Sequence, residues 1–183
     1  MKSTPGDSNM SNVVVSPYSA EWPASFVTLR EELLSVFRPT KAQVEHIGST
    51  SVPGLVAKPV IDVLLGASAL SDIESRIPAI EKLGYTYVAK YERELPMRRY
   101  FVRSGCSSLR VHLHAVVHGL AIWKEHIGLR DALRADPLLA SQYADLKLRL
   151  AAEFAHDKSA YTDAKAPFIR EVLSRLHSRA DAD

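Results

Sequence analysis

A loop of small residues that precedes a lone acidic residue is the part of this sequence best suited to chemistry. The segment from Val44 to Leu55 holds Gly48 and Gly54, with three consecutive hydroxyl side chains between them. Glycine reaches backbone angles that other residues rarely adopt, so this loop can turn tightly and approach a ligand. Main-chain N–H groups and hydroxyls in such a loop can hold phosphate oxygens. The sequence therefore predicts four substrate-binding residues here: Gly48, Ser49, Thr50 and Ser51.

The acidic residue is Asp62, which interrupts the apolar run from Val60 to Leu65. Because burying an unpaired charge is costly, a carboxylate inside a core strand indicates a specific role. Period-two alternation of a strand places Val60, Asp62 and Leu64 on one face.

Two histidines on another predicted strand, Leu109 to Val117, share one face in the same way: His112 and His114. Such a pair has a spacing that can hold one metal ion, and a neighbouring Asp62 would complete a two-histidine, one-carboxylate site. Three alternatives stay open for these imidazoles: a general base, a protonated phosphate ligand, or simple hydrogen bonding on a polar sheet face. We predict that Asp62, His112 and His114 are the catalytic residues and the candidate metal ligands.

Six further residues are candidates for substrate contacts: His46, Lys58, Arg99, Arg103, Tyr161 and Lys165. The histidine lies two residues before the glycine turn, and the first lysine stands at the mouth of the Asp62 strand. Arg99 and Arg103 share a strand face, where forked guanidinium groups would suit phosphate or carboxylate. Tyr161 and Lys165 are four residues apart and share a helix face. For each of these six, a purely structural or solvent-exposed role is the alternative.

The elements that must position these residues alternate along the chain. The predicted strands are Val44–Ile47, Val60–Leu65, Tyr85–Tyr91, Arg99–Arg103 and Leu109–Val117, with the last two joined as an antiparallel hairpin. The predicted helices are Trp22–Phe37, Ser71–Gly84, a stretch from Leu120, one that begins at Asp136-Pro137, and one that carries Tyr161 to Leu176. The second helix has a capping box at Ser71 and a glycine end. The predicted fold class is α/β (α+β), with a mixed central sheet of about five strands, flanking helices and a helical C-terminal third.

Composition limits the class of protein. The 183 residues are 46% hydrophobic and 24% charged, which predicts one globular domain over residues 13–178 with disordered ends at 1–12 and 179–183. No apolar run approaches the ~20 residues of a membrane helix, so no membrane partner is expected. The single cysteine, Cys106, excludes an internal disulfide, suits a reducing cytoplasm and reads as an incidental turn residue. The net charge of +2 comes from scattered cations, so composition gives no clear nucleic-acid signal, and the oligomeric state stays undetermined.

Several of these stretches together resemble the signature of the GrpB family. They are Glu45–Leu55, Lys58–Asp62, His112–His114, Arg130-Asp131 with Leu133-Arg134, Leu146-Lys147, and Tyr161 with Lys165–Ile169. The resemblance runs from about Val13 to Leu176, and it implies the nucleotidyltransferase (polymerase-β-like) fold.

In active members of that superfamily, a Gly-Ser turn holds the triphosphate, and two acidic residues on the next strand with a third on a later strand bind divalent metal. Gly48-Ser49 is similar to that turn, and Asp62 falls on the matching strand, but the later strand offers histidines instead of an acid. The resemblance implies a nucleotide or other phosphorylated small molecule as partner, and a divalent metal, Mg²⁺ or Mn²⁺ before Zn²⁺ or Fe²⁺. Three functions follow as hypotheses: nucleotidyl transfer to a small acceptor, ligand binding without catalysis, and a metal-dependent enzyme of another class.

Overall fold

The computed structural model of the chain describes residues 12–104 and 109–180. Within these residues the sheet has five strands: β1 (Gln43–Ile47), β2 (Val60–Ala67), β3 (Thr86–Tyr87), β4 (Arg98–Ser104) and β5 (Arg110–Val117). They lie side by side in the order β1-β2-β5-β4-β3. The β2–β5 pair is parallel and the other neighbouring pairs are antiparallel, so the sheet is mixed and the predicted fold class is confirmed.

Helices cover both faces of this sheet. They are α1 (Glu21–Phe37), α2 (Leu70–Glu74), α3 (Ile77–Lys82), α4 (Ala121–Ala135), α5 (Pro137–Glu153) and α6 (Lys158–Ala180). The main core packs α1, α2 and α3 against one face of β2, β4 and β5. On the other face, α4 packs against β1, β2 and β5, and α5 and α6 pack against α4.

The alternation of β2 divides its side chains between these two helical layers. Ile61, Val63 and Leu65 belong to the main core with α1 to α3, whereas Leu64 packs with Trp123 of α4. Since both faces of the strand are covered, its sequence is apolar on both, and Asp62 is its one charged interruption. Asp62 therefore faces the C-terminal helices.

The predicted helix Ser71–Gly84 is wrong in one respect, because the structure divides it into α2 and α3. Pro78 has no N–H to donate to the carbonyl of Glu74, and its ring clashes with that carbonyl in a continuous helix. Accordingly, Glu74 is the last residue of α2. The start is also capped differently, because the Asp72 carboxylate accepts the Ala69 N–H at 3.1 Å.

Two other helix boundaries follow the sequence signals. At the end of α3, Gly84 has φ +87°, the left-handed geometry of a glycine helix end. At the start of α5, the Asp136 carboxylate accepts the N–H groups of Leu138 and Leu139 at 2.9 and 3.0 Å, which confirms the predicted cap.

The predicted strand Tyr85–Tyr91 is much shorter in the structure. Only Thr86 and Tyr87 pair with β4, and residues Ala89–Tyr91 form a 3₁₀ turn instead. The Val88 N–H still bonds to the Tyr100 carbonyl at 2.9 Å, and beyond it the Glu92 N–H bonds back to the Ala89 carbonyl at 3.0 Å, so the chain turns away from the sheet after Val88.

Some predictions fall on residues outside the described ranges. These are the tail up to residue 11, the hairpin turn at 105–108 with Cys106, and the last three residues. In the described part of the chain, no helix is both long enough and apolar enough to cross a membrane.

Candidate functional site

The predicted cluster of Asp62, His112 and His114 forms where β2 and β5 run side by side. Asp62 is in register with His112, and Leu64 is in register with His114. The Asp62 Oδ1 atom lies 3.4 Å from His112 Nδ1 and 3.8 Å from His114 Nε2. The carboxylate is 28% exposed, and this exposure is towards the adjoining cavities.

Two opposing effects set the pKa of Asp62. Burial raises the pKa of this carboxyl, but hydrogen bonding from His112 and His114 outweighs burial and holds the pKa well below its usual range. Asp62 is therefore ionised at neutral pH.

Gly48 brings the loop against this carboxylate. It has φ +69° and precedes a single 3₁₀ turn, Ser49–Ser51. A Cβ at this position would lie 2.4 Å from Asp62 Oδ2, so only glycine fits without displacing the carboxylate.

His46, predicted to bind substrate, is instead buried behind the loop. It stacks on Phe26 with ring centroids 4.8 Å apart, and its Nε2 lies 3.1 Å from Thr50 Oγ1. The one hydroxyl proton of Thr50 is donated to the Val60 carbonyl at 3.0 Å, so His46 must be the donor to Thr50. Burial lowers the pKa of His46 to about 4, and the residue is a neutral donor of β1 that holds Thr50 of the loop.

The three loop hydroxyls consequently have different roles. Thr50 and Ser51 are buried and donate to the backbone carbonyls of Val60 and Gly48. Their hydroxyls are used for folding the loop, which departs from the predicted ligand contacts. Ser49 lines both cavities that adjoin Asp62.

The first cavity, of about 430 Å³, is basic. Besides Asp62 and its histidines, it is lined by Ser49, Lys58, Lys147, Tyr161 and Lys165. The second, of about 340 Å³, lies on the side of α4 and α6. Its lining mixes apolar residues with polar and charged ones, among them Leu129, Leu133, Ile169, His126, Arg130 and Tyr143. We call them the basic cavity and the α4 cavity. They share Ser49, Asp62, His114 and Lys165.

The lysines of the basic cavity gather around tyrosine rings. The Nζ atoms of Lys58 and Lys165 lie 3.9 and 4.4 Å from the ring centroid of Tyr161. Lys147 is 2% exposed, and its ammonium group donates to the Val56 carbonyl. Within residues 12–104 and 109–180, none of these three ammonium groups lies within 4.0 Å of a carboxylate oxygen.

Burial and mutual repulsion destabilise the charged forms of these lysines. Burial, with a further contribution from Lys165, lowers the pKa of Lys147 to about 7. Burial, followed by Lys165 and Lys158, lowers the pKa of Lys58 to about 8. Burial also lowers the pKa of Lys165, against the attraction of Asp62. A bound anion would favour all three ammonium ions.

Arg99 and Arg103 share a face of β4, as predicted, but that face is turned away from Asp62. Arg99 Nη2 lies 2.5 Å from Glu74 Oε1, and Arg103 Nη1 lies 2.8 Å from Glu32 Oε2, so both arginines bind the α1–α3 layer. Tyr100, between them, faces the site, with its ring centroid 5.2 Å from that of His114. The structure therefore corrects the prediction that these arginines contact the substrate.

Arg98 and His126 are residues of the site that were not predicted from the sequence. Arg98 Nη1 lies 3.3 Å from His114 Nδ1, and the His126 ring centroid lies 5.4 Å from that of His114. Burial lowers the pKa of His126 to about 4. Arg98 shares the period-two face of Tyr100, which was the available signal, whereas nothing in the sequence places α4 over the sheet.

The residues present do not fit the metal centre that the resemblance implies. In the described ranges, no group of three or more His, Cys, Asp or Glu residues is arranged to hold a metal ion. Val60 and Leu64, the neighbours of Asp62 on its face, offer no side-chain oxygen, and Mg²⁺ requires several oxygen ligands. The divalent metal stays a prediction from the sequence.

Comparison with solved structures identifies the class of fold. Terminal uridylyl transferase 4 from Trypanosoma brucei superposes with a TM-score of 0.54 at 12% identity, over 90% of this chain and 56% of that chain, so the fold is nucleotidyltransferase-like. The conserved protein GrpB from Enterococcus faecalis superposes with a TM-score of 0.82 at 28% identity, over 91% of this chain and 99% of that chain.

Sequence comparison gives the family. The glutamate-rich protein GrpB of Alkalihalophilus pseudofirmus is 29% identical over 172 residues, 92% of this chain and 98% of that protein. A UPF0157 protein of Halalkalibacterium halodurans is 33% identical over 167 residues, 91% of this chain and 84% of that protein. The profile of the GrpB protein family matches residues 12–175, and the chain belongs to this family.

Proposed function

We propose that this protein binds a nucleotide or another phosphorylated small molecule in the basic cavity beside Asp62. The observation that carries the proposal is the gathering of three lysines in that cavity: Lys58, Lys147 and Lys165. Ammonium groups held close together away from bulk water repel one another, and each pays a desolvation cost. Phosphate oxygens would offset both effects, because each ammonium group donates hydrogen bonds and carries an opposite charge.

The position of Asp62 orients such a ligand. Its ionised carboxylate repels phosphate, so the phosphates would lie towards Lys58, Lys165 and Ser49, which line the same cavity. A ligand hydroxyl, such as that of a ribose, would lie at the carboxylate, which accepts hydrogen bonds. A nucleotide carries both kinds of group.

A second candidate function is transfer of the nucleotidyl group to a small acceptor. The α4 cavity favours it, because this cavity meets the basic cavity at Ser49 and Asp62 and could hold a second substrate beside the first. Binding without catalysis is the competing hypothesis, and it is favoured by the apolar Val60 and Leu64 where active relatives of the superfamily place an acid.

The test is a thermal-shift panel of nucleoside di- and triphosphates and pyrophosphate, repeated on variants. A ligand at ~100 times its dissociation constant adds roughly 2.7 kcal/mol, which raises the melting temperature of a domain of this size by several degrees. Lys165→Met should weaken binding at least ~10-fold, equivalent to about 1.4 kcal/mol. Lys82→Met is the matched control, because Lys82 is exposed on α3 at the opposite face.

Two outcomes contradict parts of the proposal. If no phosphorylated compound stabilises the wild-type protein, the basic cavity is not a phosphate site. If a nucleotide binds but incubation with hydroxyl- and amine-bearing acceptors releases no pyrophosphate, binding without catalysis replaces the transfer hypothesis.

A further inference from the structure

The contact between Arg98 and His114 bears on which nitrogen of His114 carries a proton. Arg98 is the first residue of β4, and its Nη1 lies 3.3 Å from His114 Nδ1. A guanidinium group has only donors and stays protonated in proteins, so it cannot accept a hydrogen bond from the imidazole. His114 Nδ1 must therefore be the acceptor and carries no hydrogen.

The second nitrogen of His114 then has to hold the proton. An imidazole with one bare nitrogen is neutral and has its hydrogen on the other nitrogen. For His114 this is Nε2, the atom that lies 3.8 Å from Asp62 Oδ1. An N–H group, and not a lone pair, thus faces the carboxylate.

Metal ligation requires the opposite arrangement. A histidine binds a metal through a lone pair, and its other ring N–H usually donates to a carboxylate, a backbone carbonyl or water. Here the outer partner of His114 is a donor, Arg98, so the nitrogen next to Asp62 has no lone pair to offer. The positive charge of the guanidinium also repels a cation at this place.

Arg98 is held in place without a carboxylate. Its guanidinium carbon lies 5.2 Å from the ring centroid of Tyr100 and 6.0 Å from that of Tyr91. Within the described ranges no carboxylate oxygen lies within 4.0 Å of it, and its buried Nε has no hydrogen-bond partner. Its charge is therefore not neutralised by a close acid and acts directly on His114.

We propose that Arg98 is a positioning residue that fixes His114 as an Nε2–H donor towards Asp62 and thereby makes this a metal-free site. The Asp62 carboxylate is then stabilised by imidazole N–H groups where a metal-dependent nucleotidyltransferase would place cations. This proposal does not depend on the proposed function, because both the tautomer and metal binding are measured without a phosphorylated ligand.

The first measurement is the tautomer of His114, read from ¹⁵N chemical shifts of histidine-labelled, tag-free protein and assigned with His114→Gln. The wild-type protein should show the Nε2–H form alone. Arg98→Met should shift His114 towards a mixture of tautomers, and Arg98→Lys, which retains a charged donor, should restore the Nε2–H form. A purely structural role of Arg98 would not move this signal.

The second measurement is titration with Mn²⁺ and Zn²⁺. The wild-type protein should show no Mn²⁺ or Zn²⁺ binding that depends on His114. Arg98→Met should bind these metals at least ~10-fold more tightly. The double variant Arg98→Met/His114→Gln should lose that gain. Arg110→Met is the control for a general change of charge, because Arg110 is an exposed arginine on β5.

Each result decides the proposal. Nδ1–H on His114 in the wild type, or one Mn²⁺ or Zn²⁺ per chain lost in His114→Gln, overturns it. Equal gains in Arg98→Met and Arg110→Met, or no gain in Arg98→Met, remove Arg98 from its proposed role. If Arg98→Met does not fold, the wild-type tautomer and the wild-type titration still decide whether the site is metal-free.

Discussion

The main chain of Gly48 lies against the carboxylate of Asp62. A Cβ on Gly48 would lie 2.4 Å from Asp62 Oδ2 and 3.0 Å from Asp62 Cβ and Cγ. The loop and the carboxylate thus fix each other's position. A change in either one displaces the other.

Replacing Gly48 by alanine should therefore cost more than backbone strain alone. Its φ of +69° and ψ of −173° lie in a region that is essentially restricted to glycine, and an L-residue there carries a penalty of roughly 1–3 kcal/mol. The collision with Asp62 adds ~1–3 kcal/mol of overpacking. Urea denaturation of Gly48→Ala measures the sum.

The matched control is Gly54→Ala. Gly54 has a similar φ of +77°, but a Cβ there would meet no heavy atom within 4 Å. The excess loss of stability in Gly48→Ala over Gly54→Ala reports the contact with Asp62 together with the strain of the extended ψ of −173° at Gly48. Equal losses of stability would show that the carboxylate moves aside without cost.

Lys147 should make the stability of the unliganded protein rise with pH. Its folded-state pKa is about 7, below the ordinary 10.5, so the unfolded chain binds more protons between these values and stability increases from about pH 7 towards pH 10. Above pH 10 the rise should end, since burial raises the pKa of Tyr161 to about 12 and the unfolded chain then loses tyrosine protons first.

The variant Lys147→Met should flatten this rise. Met also leaves the Val56 carbonyl without its donor, but that loss is the same at every pH, so the slope of unfolding free energy against pH is the readout. Lys82→Met should keep the wild-type slope. An unchanged slope in Lys147→Met would mean that Lys147 is protonated at its ordinary pKa.

Individual residues show which parts of the fold and the site could be predicted from the sequence alone. Alternation placed His112 and His114 on one face, because neighbours at a spacing of two share a face of any strand, and the structure brings that face beside Asp62. The catalytic and metal-binding roles of these three residues stay predictions. Alternation does not show which helices cover a face of the sheet. It therefore led to a predicted ligand contact for Arg99, whose partner in the structure is Glu74 of α2.

Lys147 is a helical residue whose surroundings likewise could not be predicted from the spacing of residues in the sequence. It lies in the buried stripe of α5 with Tyr143 and Leu150, where a lysine in the sequence looks like a surface residue. Only the packing of α5 and α6 against the site reveals that its ammonium group is nearly inaccessible to water. By contrast, the break of the predicted helix at Pro78 was readable from the sequence, since proline excludes a bond to the residue four positions earlier.

His46 should make the protein less stable in mild acid. Its pKa is about 4 when folded, against an ordinary 6.5, so the unfolded chain takes up a proton first as the pH falls from 6.5 to 4. The full effect is about 3 kcal/mol, an order-of-magnitude figure.

The comparison is between His46→Gln and His177→Gln, by urea denaturation at pH 6.5 and pH 4.5. Glutamine keeps an N–H donor for Thr50 but does not titrate, so His46→Gln should lose less stability on acidification than the wild type. His177 is exposed on α6, and its replacement should leave the acid loss unchanged. If all three proteins lost the same amount of unfolding free energy between pH 6.5 and pH 4.5, His46 would be protonated in the folded protein without cost.

Arg99 and Lys165 should show opposite effects on stability and ligand binding. Arg99 is 7% exposed and donates hydrogen bonds to the Glu74 carboxylate and the Pro96 carbonyl. Arg99→Met leaves these acceptors unpaired and should lower the free energy of unfolding by ~1–3 kcal/mol. The dissociation constant of the Arg99→Met variant for the nucleotide that gives the largest thermal shift should stay within about 2-fold of the wild-type value. The reason is that Arg99 lies on the face of β4 that is turned away from Asp62.

Lys165→Met should do the reverse. It removes a half-buried cation that lowers the pKa values of Lys58 and Lys147, so the unliganded protein should be at least as stable as the wild type. Binding of the same nucleotide should weaken at least ~10-fold, because the proposed contact between Lys165 and phosphate is lost. If Arg99→Met instead weakened binding without loss of stability, β4 would present Arg99 to the ligand, and the assignment of the two faces of the sheet would be wrong.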